Sequence, residues 1–402
     1  MSVLLPVDDA LEQILATALV VTDTLQLPLI KSLGCVLASA YHSTINVPGA
    51  DNSAMDGYAI RIEDLSSERL PLSQRIQAGS VAQSLIPGTA ARIFTGANVP
   101  LGADAVVMQE ECTADDKGVV VNTHPKPGDH IRPAGQDITT GSLVLEAGRI
   151  LRPQDLGLLA SIGCASVTVH RPLRVAILST GDELVEPGSA PLAEGQLYNS
   201  NRYTLAGLLR SMNMEVVDCG IVPDDAQATA DALQDAAAKA DCVITSGGVS
   251  VGEEDHVKKQ VENLGHLDLW KLAIKPGKPL AFGRIGNTPF LGLPGNPSSV
   301  FVTFSLIAKP FLRKLQGVQE AAPPTLTARA GFTVGRAGGR QEYLRVTLIH
   351  TDEGLLANRF SNQSSGVLSS VSHSNALAVI PVGKTVEPGD LVEVLLLDLL
   401  TS

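Results

Sequence analysis

The sequence has few aromatic residues, no long apolar run and no excess of positive charge, and each shortage argues against a class of function. Phe, Trp and Tyr make up 3% of the 402 residues, which leaves little for the stacking platforms that bind single-stranded nucleic acid. Lys and Arg number 30 against 42 Asp and Glu, and the net charge of −12 opposes non-specific binding to DNA or to an anionic membrane. No apolar stretch approaches the roughly 18 residues that a membrane span requires. We therefore expect neither a nucleic-acid partner nor a membrane partner.

Cysteine is scarce and scattered, which disfavours a disulfide framework or a zinc site. No CxxC pair occurs among the five cysteines, so we expect reduced thiols in the cytoplasm. The first fifteen residues contain Asp8, Asp9 and Glu12 and lack the basic start of a secretory signal. We therefore expect a cytoplasmic protein. The cysteines are Cys35, Cys112, Cys164, Cys219 and Cys242.

The length and the hydrophobic pattern indicate several domains. At roughly 150 residues per domain, the chain has room for about 2.7 domains. Strands and helices alternate after Pro172, which predicts a doubly wound parallel sheet, whereas the Pro-Gly and Asp-Gly turns elsewhere are typical of β structure. The expected fold class is α/β plus β, in four domains. These are a helical linking domain (1–44 plus 146–171), an inserted β-rich domain (45–145), an α/β domain (172–318) and a C-terminal β-barrel (319–402).

Four loops that follow the predicted α/β strands are candidates for ligand binding. Ligands of open parallel sheets bind beyond the carboxyl ends of the strands, where small residues let backbone N–H groups approach an oxyanion. The same residues also form ordinary turns and caps, and both interpretations stay open. No Walker lysine motif and no GxGxxG occurs, so an ATPase or a dinucleotide site is not indicated. The candidates are Ser179, Thr180, Gly181, Asp182, Gly247, Gly248, Ser250, Pro294, Gly295, Asn296 and Pro297.

Three carboxylates lie in these loops, Glu183, Asp224 and Asp255. Together they would suit Mg²⁺, which takes carboxylate oxygens and leaves its other positions to water and substrate phosphate. Each aspartate has an alternative role, since Asp224 or Asp225 could cap the next helix and Asp255 could cap its own. Only their joint position favours a metal site.

A lysine-rich segment at 271–279 is the candidate for binding an anion. On a strand, Lys271 and Lys275 would share one face while Leu272 and Ile274 take the other, and a Pro-Gly turn would then present Lys278. Such lysines form an anion pocket or a solvated strand edge that discourages aggregation. The eight histidines show no HxH or HExxH pairing, and nothing supports covalent nucleophilic catalysis.

Six motifs occur in an order that resembles one known family. The chain is similar from about residue 5 to residue 400 to the molybdopterin molybdenumtransferases, the family of bacterial MoeA and the gephyrin E-domain. The motifs are DNSAMDGYA (51–59), RIFTGANVPLGADAVV (92–107), STGDEL (179–184), TSGGVSVGEED (245–255), KLAIKPGKP (271–279) and LPGNP (293–297).

The resemblance implies an enzyme that inserts molybdate into the dithiolene of adenylylated molybdopterin, with Mg²⁺ present and AMP released. It implies a homodimer in which the α/β domain of one subunit and the N-terminal region of its partner form each active site. The α/β domain is similar to the MoaB-like pterin adenylyltransferase module. Implied partners are the pterin adenylyltransferase and other proteins that make or accept the molybdenum cofactor.

The resemblance also implies roles for individual residues. Acidic positions that handle Mg²⁺ and the pyrophosphate bond are Glu183, Asp224 and Asp255. Positions on the partner's side of the site are Asp56, Thr95 and Asp137, and positions that bind the pterin phosphate or molybdate are Lys271, Lys275, Lys278, Arg345 and Ser365. The sequence departs from the family at Gly49-Ala50, where an aromatic residue is common, and at Glu253-Glu254, which crowd Asp255.

Two other functions would use the same fold. One is a scaffold that clusters partner proteins, as the gephyrin E-domain does, and the intact set of charged residues disfavours it. The other is an adenylyltransferase that uses the α/β domain alone, against which the additional domains and Arg345 argue.

Overall fold

The N-terminal helix packs on the α/β region. The computed structural model describes residues 4–66, 68–248, 256–319 and 324–401. Val7, Ala10 and Ile14 recur at helical spacing, and all three are buried in the core beneath the α/β sheet. The helix ends at Ala16, where the Thr17 hydroxyl donates to the Ile14 carbonyl at 2.8 Å. The first elements are α1 (Val7–Ala16), β1 (Thr24–Pro28) and β2 (Tyr41–His42).

The next residues form short strands, as the turn-rich sequence predicts. Four of them make a sheet in the order β5-β6-β4-β7, and β8–β9 and β3–β10 form two further antiparallel pairs. Tyr58 and Ile60 pack in one core and Ala59 in another, because successive side chains of β4 point to opposite faces. The strands are β3 (Asn52–Ser53), β4 (Gly57–Ile60), β5 (Leu72–Ile76), β6 (Ala90–Ile93), β7 (Ala105–Met108), β8 (Cys112–Asp115), β9 (Gly118–Val121) and β10 (Ile131–Arg132).

The chain then returns to pair with its first strands. β11 is antiparallel to β2, and β12 is antiparallel to β1. After β12, Arg171 ties this region to the α/β region, since its Nη1 and Nη2 lie 2.7 and 2.8 Å from the carboxylate of Asp241. The elements are β11 (Leu143–Leu145), α2 (Pro153–Ser161) and β12 (Ser166–His170).

A six-stranded sheet in the order β16-β13-β17-β21-β20-β18 forms the α/β region. The first four of these strands are parallel, and β20 is antiparallel to both its neighbours, so the sheet is mixed where we expected it to be parallel throughout. The elements are β13 (Arg174–Thr180), β14 (Leu184–Val185), β15 (Leu197–Tyr198), α3 (Ser200–Ser211), β16 (Glu215–Val222), α4 (Ala226–Lys239), β17 (Cys242–Ser246), α5 (His256–Leu264), β18 (Gly265–Lys271), β19 (Ile274–Lys275), β20 (Pro279–Ile285), β21 (Thr288–Leu293), α6 (Pro297–Thr303), a π-helical turn (Phe304–Ala308) and α7 (Lys309–Leu315).

The lysine-rich segment is not one strand, so that prediction was wrong. β18 ends at Lys271 in the α/β sheet, and β19 pairs in parallel with β23 of the C-terminal region. Leu272 and Ile274 are fully buried between the two sheets, which makes the crossing possible without exposing apolar surface. The segment therefore links the two regions.

The C-terminal strands close into a barrel. Pairing runs β23-β24-β22-β26-β25 and back to β23, which closes a five-stranded ring. The short strand β19 pairs with β23 in addition. No described helix is long and apolar enough to cross a membrane. The elements are β22 (Leu326–Ala330), β23 (Gln341–Thr351), β24 (Gly354–Arg359), α8 (Ser369–Ser372), β25 (Ala376–Ile380), β26 (Leu391–Leu396) and α9 (Leu397–Thr401).

Candidate active site

A cavity of about 800 Å³ lies between the carboxyl ends of the α/β strands and loops of the barrel. Residues from both regions line it, so neither region forms the site alone. Of the predicted residues, the cavity is lined by Thr180, Glu183, Gly247, Gly248, Lys275, Lys278, Pro294, Gly295, Asn296, Pro297 and Ser365. It is also lined by Leu184, Leu197, Tyr198, Asn199, Ser200, Asn201, Ser246, Pro276, Gly277, Pro279, Ser299, Arg340, Gln363 and Ser364.

The floor of the cavity follows from parallel pairing in the sheet. Thr180 ends β13 and Ser246 ends β17, and the loop after β21 begins next to them. Gly248 has a φ of +66°, and a Cβ there would lie 2.6 Å from Val257 Cγ2 and 2.9 Å from Thr180 Oγ1. Only glycine fits this close approach, which brings the backbone of the loop to the cavity wall.

The LPGNP loop joins the two sides of the cavity. The carbonyl of Gly295 accepts a hydrogen bond of 2.7 Å from Asn201 Nδ2 on α3. The Ser298 N–H donates to the Ser365 carbonyl at 2.9 Å, and its hydroxyl donates to the Val367 carbonyl at 2.8 Å. The loop therefore fixes the barrel segment with Ser365 against the start of α6.

Positive charge dominates the described lining. Lys275, Lys278 and Arg340 line the cavity, whereas Glu183 is the one carboxylate that the described lining contributes. Lys275 Nζ lies 2.9 Å from Glu342 Oε1, which offsets part of its charge. In a chain of net charge −12, this concentration of cations favours an anionic ligand.

Two polar atoms at the start of α3 are buried without a hydrogen-bond partner. Asn199 Oδ1 accepts from the Arg202 N–H, which caps α3 and leaves Asn199 Nδ2 unpaired. Asn201 Nδ2 donates to Gly295, which leaves Asn201 Oδ1 unpaired. An unsatisfied buried donor or acceptor costs about 1–3 kcal/mol, so the start of α3 carries a local energetic cost beside the cavity.

Two of the predicted acidic residues, Glu183 and Asp224, lie in neighbouring loops at the edge of the sheet. Glu183 lines the cavity, and the Asp224 N–H donates to Asp182 Oδ1 at 3.3 Å, so the loops that follow β13 and β16 lie side by side. Asp225 caps α4 by accepting from the Ala228 N–H at 2.8 Å, which leaves Asp224 free of that role. Asp255 and Ser250 lie outside the described residues. Within those residues, no group of three or more His, Cys, Asp or Glu could hold a metal ion.

Arg345 lies behind the cavity wall. It is 1% exposed, its Nε donates to Ser370 Oγ at 3.0 Å, and its Nη2 donates to the Ser364 carbonyl at 3.2 Å. Burial lowers its pKa to about 10. These contacts let Arg345 support the segment that carries Ser364 and Ser365. Five other predicted residues of the α/β region also lie outside the lining, namely Ser179, Gly181, Asp182, Asp224 and Lys271.

The N-terminal motif residues form a separate group. Asp56 Oδ1 accepts from both the N–H and the hydroxyl of Thr95, each at 2.8 Å, and these bonds lower the pKa of Asp56. The Asp137 N–H donates to the Val47 carbonyl at 2.9 Å, and its side chain is exposed. None of Asp56, Thr95 and Asp137 lines the cavity of their own chain.

Sequence analysis missed several lining residues. Arg340 precedes β23, and nothing in the sequence pattern distinguishes it from Arg345 as the arginine that lines the cavity. Asn199 and Asn201 flank the start of α3 in YNSN, a pattern that indicates a helix cap and so conceals a binding role. Gln363 and Ser364 adjoin the predicted Ser365 in sequence, and this adjacency is the one feature that could have identified them.

Comparison with known proteins identifies the class of the molecule. Three family models match along the chain: "MoeA N-terminal region (domain I and II)" at 5–163, "Probable molybdopterin binding domain" at 176–314 and "MoeA C-terminal region (domain IV)" at 327–397. The fold and its cavity thus define a multidomain molybdopterin-binding protein of the MoeA type, and the expected α/β plus β fold class is confirmed.

Relatives of nearly full length narrow this class to a family. The chain is 42% identical to "Molybdopterin molybdenumtransferase" of Haemophilus influenzae over 94% of both chains. It is 32% identical to Dictyostelium discoideum gephyrin over 98% of this chain and 62% of gephyrin. The crystal structure titled "molybdopterin biosynthesis moeA protein" from Pyrococcus horikoshii OT3 matches with a TM-score of 0.84 and 31% identity, over 98% of this chain and 100% of that chain. The chain belongs to the molybdopterin molybdenumtransferase family, the transferases of molybdenum cofactor biosynthesis, which confirms the resemblance found in its motifs.

Proposed function

We propose that this enzyme binds adenylylated molybdopterin and molybdate in the cavity and inserts the metal into the pterin dithiolene with release of AMP. The observation that carries the proposal is the cavity of about 800 Å³ with three cations and one carboxylate in its described lining. Molybdate is a dianion and the adenylylated pterin contains a pyrophosphate, so both substrates need cationic neighbours. The dithiolene sulfurs belong to the substrate, and the protein needs no cysteine cluster.

The described residues that line the cavity differ in the chemical groups that they can bind. Lys275 and Lys278 act as compact point charges toward oxyanions, whereas the planar Arg340 donates in pairs. Asn199 and Asn201 add uncharged polar residues to the lining, beside the cations. Ser365 and the LPGNP loop hold the barrel segment against the start of α6, so groups from the sheet and from the barrel face the same cavity.

Mg²⁺ fits the donor set of the cavity. Mg²⁺ keeps several waters and binds through one or two carboxylates plus substrate phosphate oxygens, so Glu183 on the cavity wall is the proposed first ligand and Asp224, in the loop after β16, is the proposed second. Asp255 remains a proposed third ligand. When bound, Mg²⁺ would neutralise negative charge on the departing phosphate.

The working molecule is proposed to be a cytoplasmic homodimer of four-domain subunits with the boundaries given above. Asp56, Thr95 and Asp137 lie on a part of the chain that does not line its own cavity, so we propose that the partner supplies them. The pterin adenylyltransferase would deliver the substrate, and cofactor-dependent enzymes or carrier proteins would accept the product.

A direct assay tests the proposed reaction. The protein is incubated with adenylylated molybdopterin, Mg²⁺ and molybdate, and AMP and pterin-bound molybdenum are measured. We expect AMP release together with metal incorporation. Both should be abolished when molybdate is omitted. Adenylylation of free pterin from ATP would instead indicate an adenylyltransferase, and absence of both reactions would leave a scaffold.

A further inference from the structure

One segment of the α/β region forms part of the cavity wall. This wall segment, residues 183–199, contributes Glu183, Leu184, Leu197, Tyr198 and Asn199 to the lining. Its strands β14 and β15 are two residues each and pair in parallel. The Leu197 N–H donates to the Glu183 carbonyl at 2.9 Å, the Asn199 N–H donates to the Val185 carbonyl at 3.0 Å, and the Tyr198 hydroxyl donates to the Ala190 carbonyl at 3.1 Å. These bonds hold the segment to itself, so its position against the α/β region depends on contacts to the rest of the molecule.

Glu186 provides such a contact directly after β14. Its carboxylate accepts hydrogen bonds from Arg202 Nη1 and from the Tyr203 hydroxyl, both on α3. Arg202 Nε in turn lies 2.9 Å from Asp218 Oδ2 on β16. The side chains of Arg202, Glu186 and Asp218 are 24%, 31% and 35% exposed, so this ion-pair network is partly shielded from water. It ties the wall segment to a helix and a strand of the α/β region.

Glu183 has no comparable restraint of its own. Among the described residues, none donates a hydrogen bond to its carboxylate. Glu183 is exposed and lines the cavity. The carboxylate lies over the backbone of Gly181, where a Cβ would meet both of its oxygens, so its place follows the backbone at the start of the wall segment. Three residues further on, that backbone is held by Glu186.

We infer that Glu186 is a positioning residue, which acts through the wall segment to hold the Glu183 carboxylate in the cavity. The inference rests on the proposed function, which assigns the Glu183 carboxylate its role in the cavity. The anchor itself is a property of the protein without substrate, and it is tested separately.

Hydrogen exchange tests the anchor in the absence of substrate. In Glu186→Gln, the amides of Leu197 and Asn199 should exchange about tenfold faster, because the segment opens more often once the ion pair is lost. Glu194→Gln is the matched control, since Glu194 lies exposed on the same segment and pairs with no described residue. Tyr203→Phe removes one donor and should give a smaller change of the same kind, which keeps the test open if Glu186→Gln fails to fold. Equal exchange in Glu186→Gln, Glu194→Gln and the unaltered protein would overturn the anchor.

Kinetics test whether the anchor acts through Glu183. We expect kcat of Glu186→Gln to fall about tenfold while KM for molybdate changes less than about twofold. The double variant Glu183→Gln/Glu186→Gln should be no slower than Glu183→Gln alone, because the second change has no carboxylate left to misplace. Losses that multiply would overturn the inference. Failure of the unaltered protein to release AMP would overturn the proposed function and leave the exchange result standing.

Discussion

At the scale of single residues, the cavity distinguishes two arginines that the sequence cannot. Arg340 lines the cavity, and its Nη1 donates to the Ile274 carbonyl at 3.3 Å. Arg345 is buried and holds backbone and hydroxyl groups behind the wall. The anion-binding role therefore falls to Arg340 in this account, and Arg345 supports the loop with Ser364.

The first prediction concerns Arg340. Arg340→Ala should raise KM for molybdate about tenfold, because one of the three cations in the described lining is lost. The effect should shrink as salt is added, since ions screen the remaining charges. Steady-state kinetics at two salt concentrations measure it, with Lys384→Ala on the exposed barrel surface as control. A molybdate dependence equal to that of the control would refute the assignment.

The limits of sequence reasoning at this scale are physical. Motifs such as LPGNP and STGDEL marked the loops at the strand ends, and Pro294, Gly295 and Glu183 do line the cavity. A motif does not show whether an arginine in or near β23 lines the cavity or is buried behind its wall. That depends on the residues that cover the strand, here the segment with Ser364 and Ser370, which lies far away in sequence.

At the scale of elements, helix α2 shows how a buried charge stabilises a helix start. Asp155 is 2% exposed and its Oδ2 accepts from the Arg152 N–H at 3.0 Å, which satisfies a free donor at the helix end. Burial raises the pKa of Asp155, but the hydrogen bonds from Arg149 and Arg152 outweigh it and lower the pKa to about 2.

The second prediction follows from this lowered pKa. The ionised Asp155 stabilises the folded state fully above the unfolded pKa of about 3.9, and that stability is lost as the pH falls toward 2. After solvent screening at the exposed arginines, we expect about 1–2 kcal/mol. Urea unfolding of the protein and of Asp155→Asn from pH 5 to pH 2.5 measures it. Asp155→Asn should be the less stable at pH 5, and the difference should narrow in acid; a constant difference would contradict the assignment.

Local pattern predicted most elements but not their pairing. The alternation of strands and helices expected after Pro172 is present, as in β16 followed by α4, because each element has its own hydrophobic period. The antiparallel β20 and the crossing of the lysine-rich segment were missed. Both depend on partners distant in sequence, β21 for the first and β23 for the second, which periodicity does not reveal.

At the scale of the whole molecule, one core joins the N-terminal helix, the α/β sheet and the barrel. Ile14 of α1, Leu291 of β21 and Leu377 of β25 belong to the same buried cluster. The two sides of the cavity are therefore held at a fixed separation by packing. The Asp56–Thr95 pair lies outside this arrangement, and its proposed role requires a second copy of the chain.

The third prediction tests that role by complementation. Asp56→Asn and Glu183→Gln should each keep only a small residual activity, and co-expression should restore about a quarter of normal activity, since half the dimers would be mixed and each would hold one intact site. Asp56→Asn mixed with Thr95→Val provides the control, because both changes fall on the same side and no mixed dimer has an intact site. AMP release measures the recovery. Activity no higher in the first mixture than in the control would contradict a shared site.

The most direct test of the account is where molybdenum binds. Crystals soaked in molybdate should show a molybdenum anomalous peak inside the cavity, within reach of Lys275, Lys278 and Arg340, and the peak should weaken in Arg340→Ala. A molybdenum peak confined to other surfaces, with none between the α/β sheet and the barrel, would contradict the central claim.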